Sequence, residues 1–138
     1  EVRRLMETYQ LTRTGDRPLT FEGEVIAEAG AMWVNQKEQL RWHEITLYRT
    51  GGGSYVLAIG YFTQWQGEQD HRAVYHAKDV EALMEELQMY DPLEHIMGYP
   101  PGDQYEERQA RLERVVLANW AHLVSEILEG EEFAERIG

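Results

Sequence analysis

Arg41–Thr50 (RWHEITLYRT) and Ser54–Trp65 (SYVLAIGYFTQW) are separated by three consecutive glycines, Gly51-Gly52-Gly53. Few local patterns leave a chain less choice. Both segments are rich in aromatic and β-branched residues, and the glycines supply the positive φ that a tight reversal needs, so the pattern predicts a β-hairpin. Side-chain segregation then predicts its register. With Thr50 facing Ser54, Ile45 faces Ile59 and Leu47 faces Leu57, which gathers the aliphatic residues on one face. Trp42, Glu44, Thr46 and Tyr48 fall on the other face, opposite Phe62, Gly60, Ala58 and Val56. A slip of one residue would mix the two sets.

The flanking sequence extends the sheet. Gln66–Asp70 (QGEQD) reads as a turn and His71–Ala77 (HRAVYHA) as a further strand. Pairing Trp65 with Asp70 puts Val74 beside Tyr61 and sets Tyr75 across from Gly60, where its ring would cover the bare glycine backbone. Upstream, Leu5–Arg13 and Leu19–Ile26 flank the turn-forming cluster Thr14-Gly15-Asp16-Arg17-Pro18 and read as another hairpin. A helix through Leu5 is the alternative. Ala29–Gln39 reads as an irregular connection.

Helical signals take over after residue 78. Asp79 is placed to cap a helix with an apolar stripe at Val80, Leu83, Met84 and Leu87. Asp91-Pro92-Leu93-Glu94 predicts a short helix ending near Gly98, and Tyr99-Pro100-Pro101-Gly102 a loop. Asp103-Gln104-Tyr105-Glu106 predicts the start of a long helix closed by Gly130. Its apolar stripe, which includes Leu112, Val115, Val116, Trp120, Leu123, Ile127 and Leu128, is broad enough to cover the sheet and leave a flank for another subunit. Phe133 and Ile137 are expected to tuck back onto the fold. The expected class is therefore α+β, an antiparallel β-meander of four to five strands followed by two to three helices packed on one sheet face. Residues 1–138 are expected to form one domain, β-rich over 1–78 and helical over 79–138.

Charge narrows the partners. The net charge is −12, and residues 79–138 alone carry four Arg against fifteen acids. Phosphate-backbone affinity comes from Lys and Arg, so direct nucleic-acid binding is not expected. Arg3, Arg4, Arg13 and Arg17 would fit the end of a basic module preceding Glu1. Cysteine is absent, which removes disulfides and thiolate chemistry and leans towards a cytoplasmic protein. No apolar run is long enough for a membrane span.

The motifs carry little chemistry. No two of His43, His71, His76, His95 and His122 stand at helical ligand spacing, so no metal or other cofactor is expected; a site assembled from His43 with Glu44 is the exception worth checking. Ser54 and Ser125 have no neighbouring base. The glycine turn is followed by a strand rather than a helix N-terminus, so it is no phosphate cradle. The most suggestive group is Glu44, mid-strand, among Trp42, Tyr48, Phe62 and Tyr75. These five residues are the candidate ligand-binding set, with the carboxylate as a base or as the anchor of a cationic ligand.

Phe21-Glu22-Gly23-Glu24-Val25-Ile26-Ala27-Glu28, Trp42–Thr50, the glycine turn and Tyr55-Val56-Leu57 together resemble short bacterial proteins of the EXLDI type, over residues 19–87. The Glu-x-Leu-Asp-Ile tail that names that group is not present, since the chain ends Glu135-Arg136-Ile137-Gly138. The resemblance implies no activity and no catalytic residue. Three functional expectations stand. The first is a non-enzymatic interaction or regulatory protein, self-associating as a homodimer or meeting a protein partner. The second is a small-ligand pocket around Glu44, with catalysis open. The third is an acidic antagonist of a nucleic-acid-binding protein.

Overall fold

The computed structural model describes residues 6–30, 40–99 and 101–135. Expectations for Arg3, Arg4, Leu5, Pro100, Ile137 and most of the 29–39 connection fall outside them.

Five antiparallel strands follow one another in chain order: β1 (Glu7–Leu11), β2 (Leu19–Ala29), β3 (Arg41–Thr50), β4 (Tyr55–Thr63) and β5 (His71–Ala77). The β3–β4 register is the expected one, with Ile45 opposite Ile59, Leu47 opposite Leu57 and Glu44 opposite Gly60. At the turn, Gly53 has φ +87° and its N–H donates to the Thr50 carbonyl at 3.0 Å. In β2 the register with β3 shifts between Val25 and Ala27. This bulge turns Val25 towards the Tyr48 side and Ala27 and Ala29 towards the aliphatic side, so one strand serves both faces.

Two helices, α1 (Val80–Met89) and α2 (Tyr105–Leu128), pack on the aliphatic face, α1 over β4 and β5 and α2 over β2 and β3. Ile45, Leu47, Leu57, Ile59 and Leu83 are essentially fully buried there, closed in by Leu87, Trp120, Leu123 and Ile127. Burying each such side chain contributes roughly 2 kcal/mol, which is why this face directs the helices. Asp79 caps α1 as expected, accepting from the Ala82 N–H at 2.9 Å. Phe133, in a 3-10 turn at Glu131–Phe133, packs against the same core.

Three local expectations are corrected. Residues 92–95 form successive turns rather than a short helix, with the Asp91 carboxylate accepting from the Leu93 N–H at 2.9 Å. So brief a segment cannot recover the cost of nucleating a helix. Asp103 does not cap α2. Gln104 does, in the left-handed region at φ 61°, without a side-chain hydrogen bond. The β4–β5 register differs by three residues, pairing Tyr61 with His71, Gly60 with Arg72, Ala58 with Val74 and Leu57 with Tyr75. An odd shift exchanges the faces of the whole strand, so Tyr75 joins the aliphatic core and Val74 leaves it.

The sheet is curled. The Thr14 N–H donates to the Arg72 carbonyl and the Arg72 N–H to Thr14 Oγ1, both at 2.9 Å. The tip of the β1–β2 hairpin thus crosses the Glu44 face and meets β5, and that face becomes the inside of a trough.

Candidate functional site

The trough is built from alternate residues of four strands. Glu44, Thr46, Ala58, Gly60 and Phe62 form its floor, Gln10, Leu11 and Thr12 one wall, and Arg72 and Val74 the other, around a cavity of about 440 Å³. Period-two alternation puts these side chains together, and the hairpin strap at Thr14 supplies the wall. Trp42 reaches the site from β3. Its Nε1–H donates to Glu44 Oε2 at 3.0 Å, and its ring stacks on Phe62 with centroids 5.8 Å apart. The Arg72 guanidinium lies 5.2 Å over the Phe62 ring. Gly60 has a clear reason to be glycine, because a Cβ there would stand 2.5 Å from Phe62 Cε2. Phe62, two residues along the same strand, takes the covering role expected of Tyr75. Among the described residues no Lys, Arg or His nitrogen is within ion-pair distance of Glu44.

Of the five candidate residues two, Glu44 and Phe62, line the trough, and Trp42 touches both without lining it. Tyr48 is on the same face, but it is buried in a separate cluster with Tyr9 and Phe21, at centroid distances of 4.9 and 5.2 Å. That cluster seats the β1–β2 hairpin on the sheet. Tyr75 is on the opposite face for the register reason given above. Arg41, the partner considered for Glu44, is engaged elsewhere.

That other engagement is a polar cluster at the edge of the helix-covered face. The Glu68 carboxylate accepts from Arg41 Nε at 2.9 Å, Arg41 Nη2 at 2.5 Å, the Tyr61 hydroxyl at 2.5 Å, Thr63 Oγ1 at 2.9 Å and the Met97 N–H at 3.2 Å. Burial pushes the Glu68 carboxyl up, but the hydrogen bonds from Arg41, Tyr61 and Thr63 outweigh it and hold it below the usual carboxylate range. Burial and the bond to Glu68 push the Tyr61 phenol up. These bonds tie residues 64–70 and the 91–99 segment to the sheet.

His43 is beside this cluster, 6% exposed, with Tyr61, Tyr90 and Trp120 around its ring at 5.1, 5.7 and 5.2 Å. Burial, with a smaller contribution from His95, lowers its pKa to about 4. His43 and Glu44, adjacent in sequence, point to opposite faces and cannot share a metal. Among the described residues no group of three or more His, Asp or Glu side chains is placed to hold a metal ion. Ser54 does have a base that sequence reading missed: its Oγ is 2.8 Å from His76 Nε2. The same hydroxyl contacts Thr50 Oγ1 at 2.7 Å at the outer end of the hairpin, so the trio pins the glycine turn to β5.

No family model, curated protein or solved structure matches this chain. No helix among the described residues is long and apolar enough to cross a membrane.

Proposed function

We propose that the protein is a small-ligand-binding module whose trough takes a compact organic cation with an apolar group. The observation that carries this reading is the cavity of about 440 Å³ lined by Glu44, whose carboxylate forms no ion pair among the described residues, beside Phe62, Ala58, Val74 and Leu11, with Arg72 on the far wall. Small-molecule sites are commonly concave spaces of a few hundred Å³ with a few convergent polar groups, and here the lining is more polar than apolar. Glu44 would receive the cationic head, Trp42 Nε1–H holds the carboxylate in orientation, and Thr46 and Gln10 offer further hydrogen bonds.

The test is a chemical-shift titration with phenethylamine and its neutral analogue 2-phenylethanol. The amine is expected to perturb the amides of Glu44, Gly60, Phe62 and Val74 and to bind at least tenfold more tightly than the alcohol. Glu44→Gln, which keeps an acceptor for Trp42, is expected to remove that preference while the spectrum stays folded, the loss of a charge-assisted hydrogen bond being worth about 1.5–3 kcal/mol. Equal binding of amine and alcohol, or perturbations outside the trough, would overturn the reading.

A further inference from the structure

Glu44, Gly60 and Arg72 form one row across the middle of the trough. Glu44 pairs with Gly60 between β3 and β4, and Gly60 with Arg72 between β4 and β5, so all three face the same side of the sheet. Among the described residues Glu44 is the one acid and Arg72 the one base that line the cavity. Gly60 puts no side chain between them. The Phe62 ring occupies that place instead, since a Cβ at Gly60 would meet Phe62 Cε2 at 2.5 Å. The Arg72 guanidinium lies on this ring, 5.2 Å from its centroid.

Opposite charges in one cavity ordinarily close on each other. Here the two backbones are two strands apart, roughly 10 Å, and the ring stands in the gap. Neither group forms an ion pair among the described residues. Glu44 is held instead by Trp42 Nε1–H at 3.0 Å. The trough thus keeps one carboxylate and one guanidinium apart and open to the same space. Charges in a partly enclosed space are best compensated by opposite charges that also hydrogen-bond to them. A ligand with a cationic head alone satisfies Glu44 and leaves Arg72 facing it as a like charge.

We propose that the ligand is a zwitterion, an α-amino acid with an apolar side chain. This deepens the reading of the trough as a cation site and rests on it. The ammonium meets Glu44. The carboxylate pairs with Arg72, whose planar fork matches it in two parallel hydrogen bonds. The ligand's side chain packs on Leu11, Val74 and Phe62, the apolar part of the lining. The span sets the length. Each charged contact takes up roughly 3 Å, and side chains on the inner face of a curled sheet lean together, so little more than one carbon fits between the ligand's charged groups. An α-amino acid has that spacing, whereas a chain with its amine and carboxylate at opposite ends does not.

Chemical-shift titrations at neutral pH with probes of one skeleton test this. Phenethylamine carries the amine alone, 3-phenylpropionate the carboxylate alone, and L-phenylalanine both. L-Phenylalanine is expected to bind at least about tenfold more tightly than either of the others. Arg72→Met, a change at an exposed side chain that keeps an apolar stem, is expected to remove the advantage over phenethylamine while phenethylamine itself binds no more weakly. Arg72→Lys keeps the charge without the fork and is expected to retain part of the advantage. Glu44→Gln is expected to weaken L-phenylalanine and not 3-phenylpropionate. L-Phenylalanine bound no more tightly than phenethylamine, or an advantage that survives Arg72→Met in a folded variant, would overturn the inference. If phenethylamine still outbinds 2-phenylethanol in that case, the cation site stands and the zwitterion alone is lost. If it does not, both are lost.

Discussion

His43 holds an imidazole in a box where a phenyl ring would be at home, and the consequence is a dependence on acid. Its folded pKa of about 4 is below the ordinary histidine value of 6.5. The neutral form is therefore favoured by folding, so the stabilisation is complete above pH 6.5 and is lost as the pH falls from 6.5 towards 4. At about 1.4 kcal/mol per pKa unit the loss over that window is about 3 kcal/mol. His71, also lowered by burial, adds in the same direction. Glu68, held low by its partners, extends the loss below the ordinary carboxylate range. Urea midpoints measured from pH 7.5 to 4 are expected to fall most steeply below 6.5, and His43→Phe is expected to flatten that slope. An unchanged slope in the variant would show that His43 is not the titrating group. Neither residue could be read from the sequence. His43 meets Trp120 and Arg41 meets Glu68 only because distant strands, loops and helices converge, and no local pattern encodes that convergence.

The elements were legible where their determinants are local. The β3–β4 register followed from three glycines and two segregated sets of side chains, and α1 followed from Asp79 and one apolar stripe. The β4–β5 register did not, because Glu68 is drawn into the sheet edge by Arg41, Tyr61 and Thr63, and residues 64–70 become a loop longer than the expected turn. That single displacement moved Tyr75 out of the candidate site and left Arg72 opposite Gly60. At the start of α2 the acidic signature at Asp103 was misleading, since the chain enters through Gln104 at φ 61°. A left-handed L-residue costs roughly 1 kcal/mol, which glycine avoids at some expense in unfolded-state entropy. Gln104→Gly is expected to raise Tm by roughly 1–2 °C. A fall in Tm on calorimetry would mean that the Gln104 side chain contributes more than its backbone costs.

Across the whole molecule one contact defines the trough, the pair of hydrogen bonds between Thr14 and Arg72. Thr14→Val keeps the shape of the side chain and removes the hydroxyl acceptor, with an expected cost of about 1 kcal/mol. Amide exchange at Arg72 is expected to quicken about fivefold, with weaker phenethylamine binding, while the amides of β3 and β4 stay protected. Exchange that quickens throughout the sheet would show that the strap supports the entire fold rather than one wall. The sheet topology has a consequence for how the chain reaches this state. Every strand pairs with its immediate successor in the chain, so each hairpin can close as soon as its second strand is available, and little time need be lost searching for distant partners. The sheet can thus stand before its lid is complete: Ile45 and Leu47, on the strand that α2 covers, are wetted until residues 105–128 arrive. During synthesis at about 5–20 residues per second that interval lasts a few seconds, a period in which the nascent chain is at its most vulnerable to aggregation.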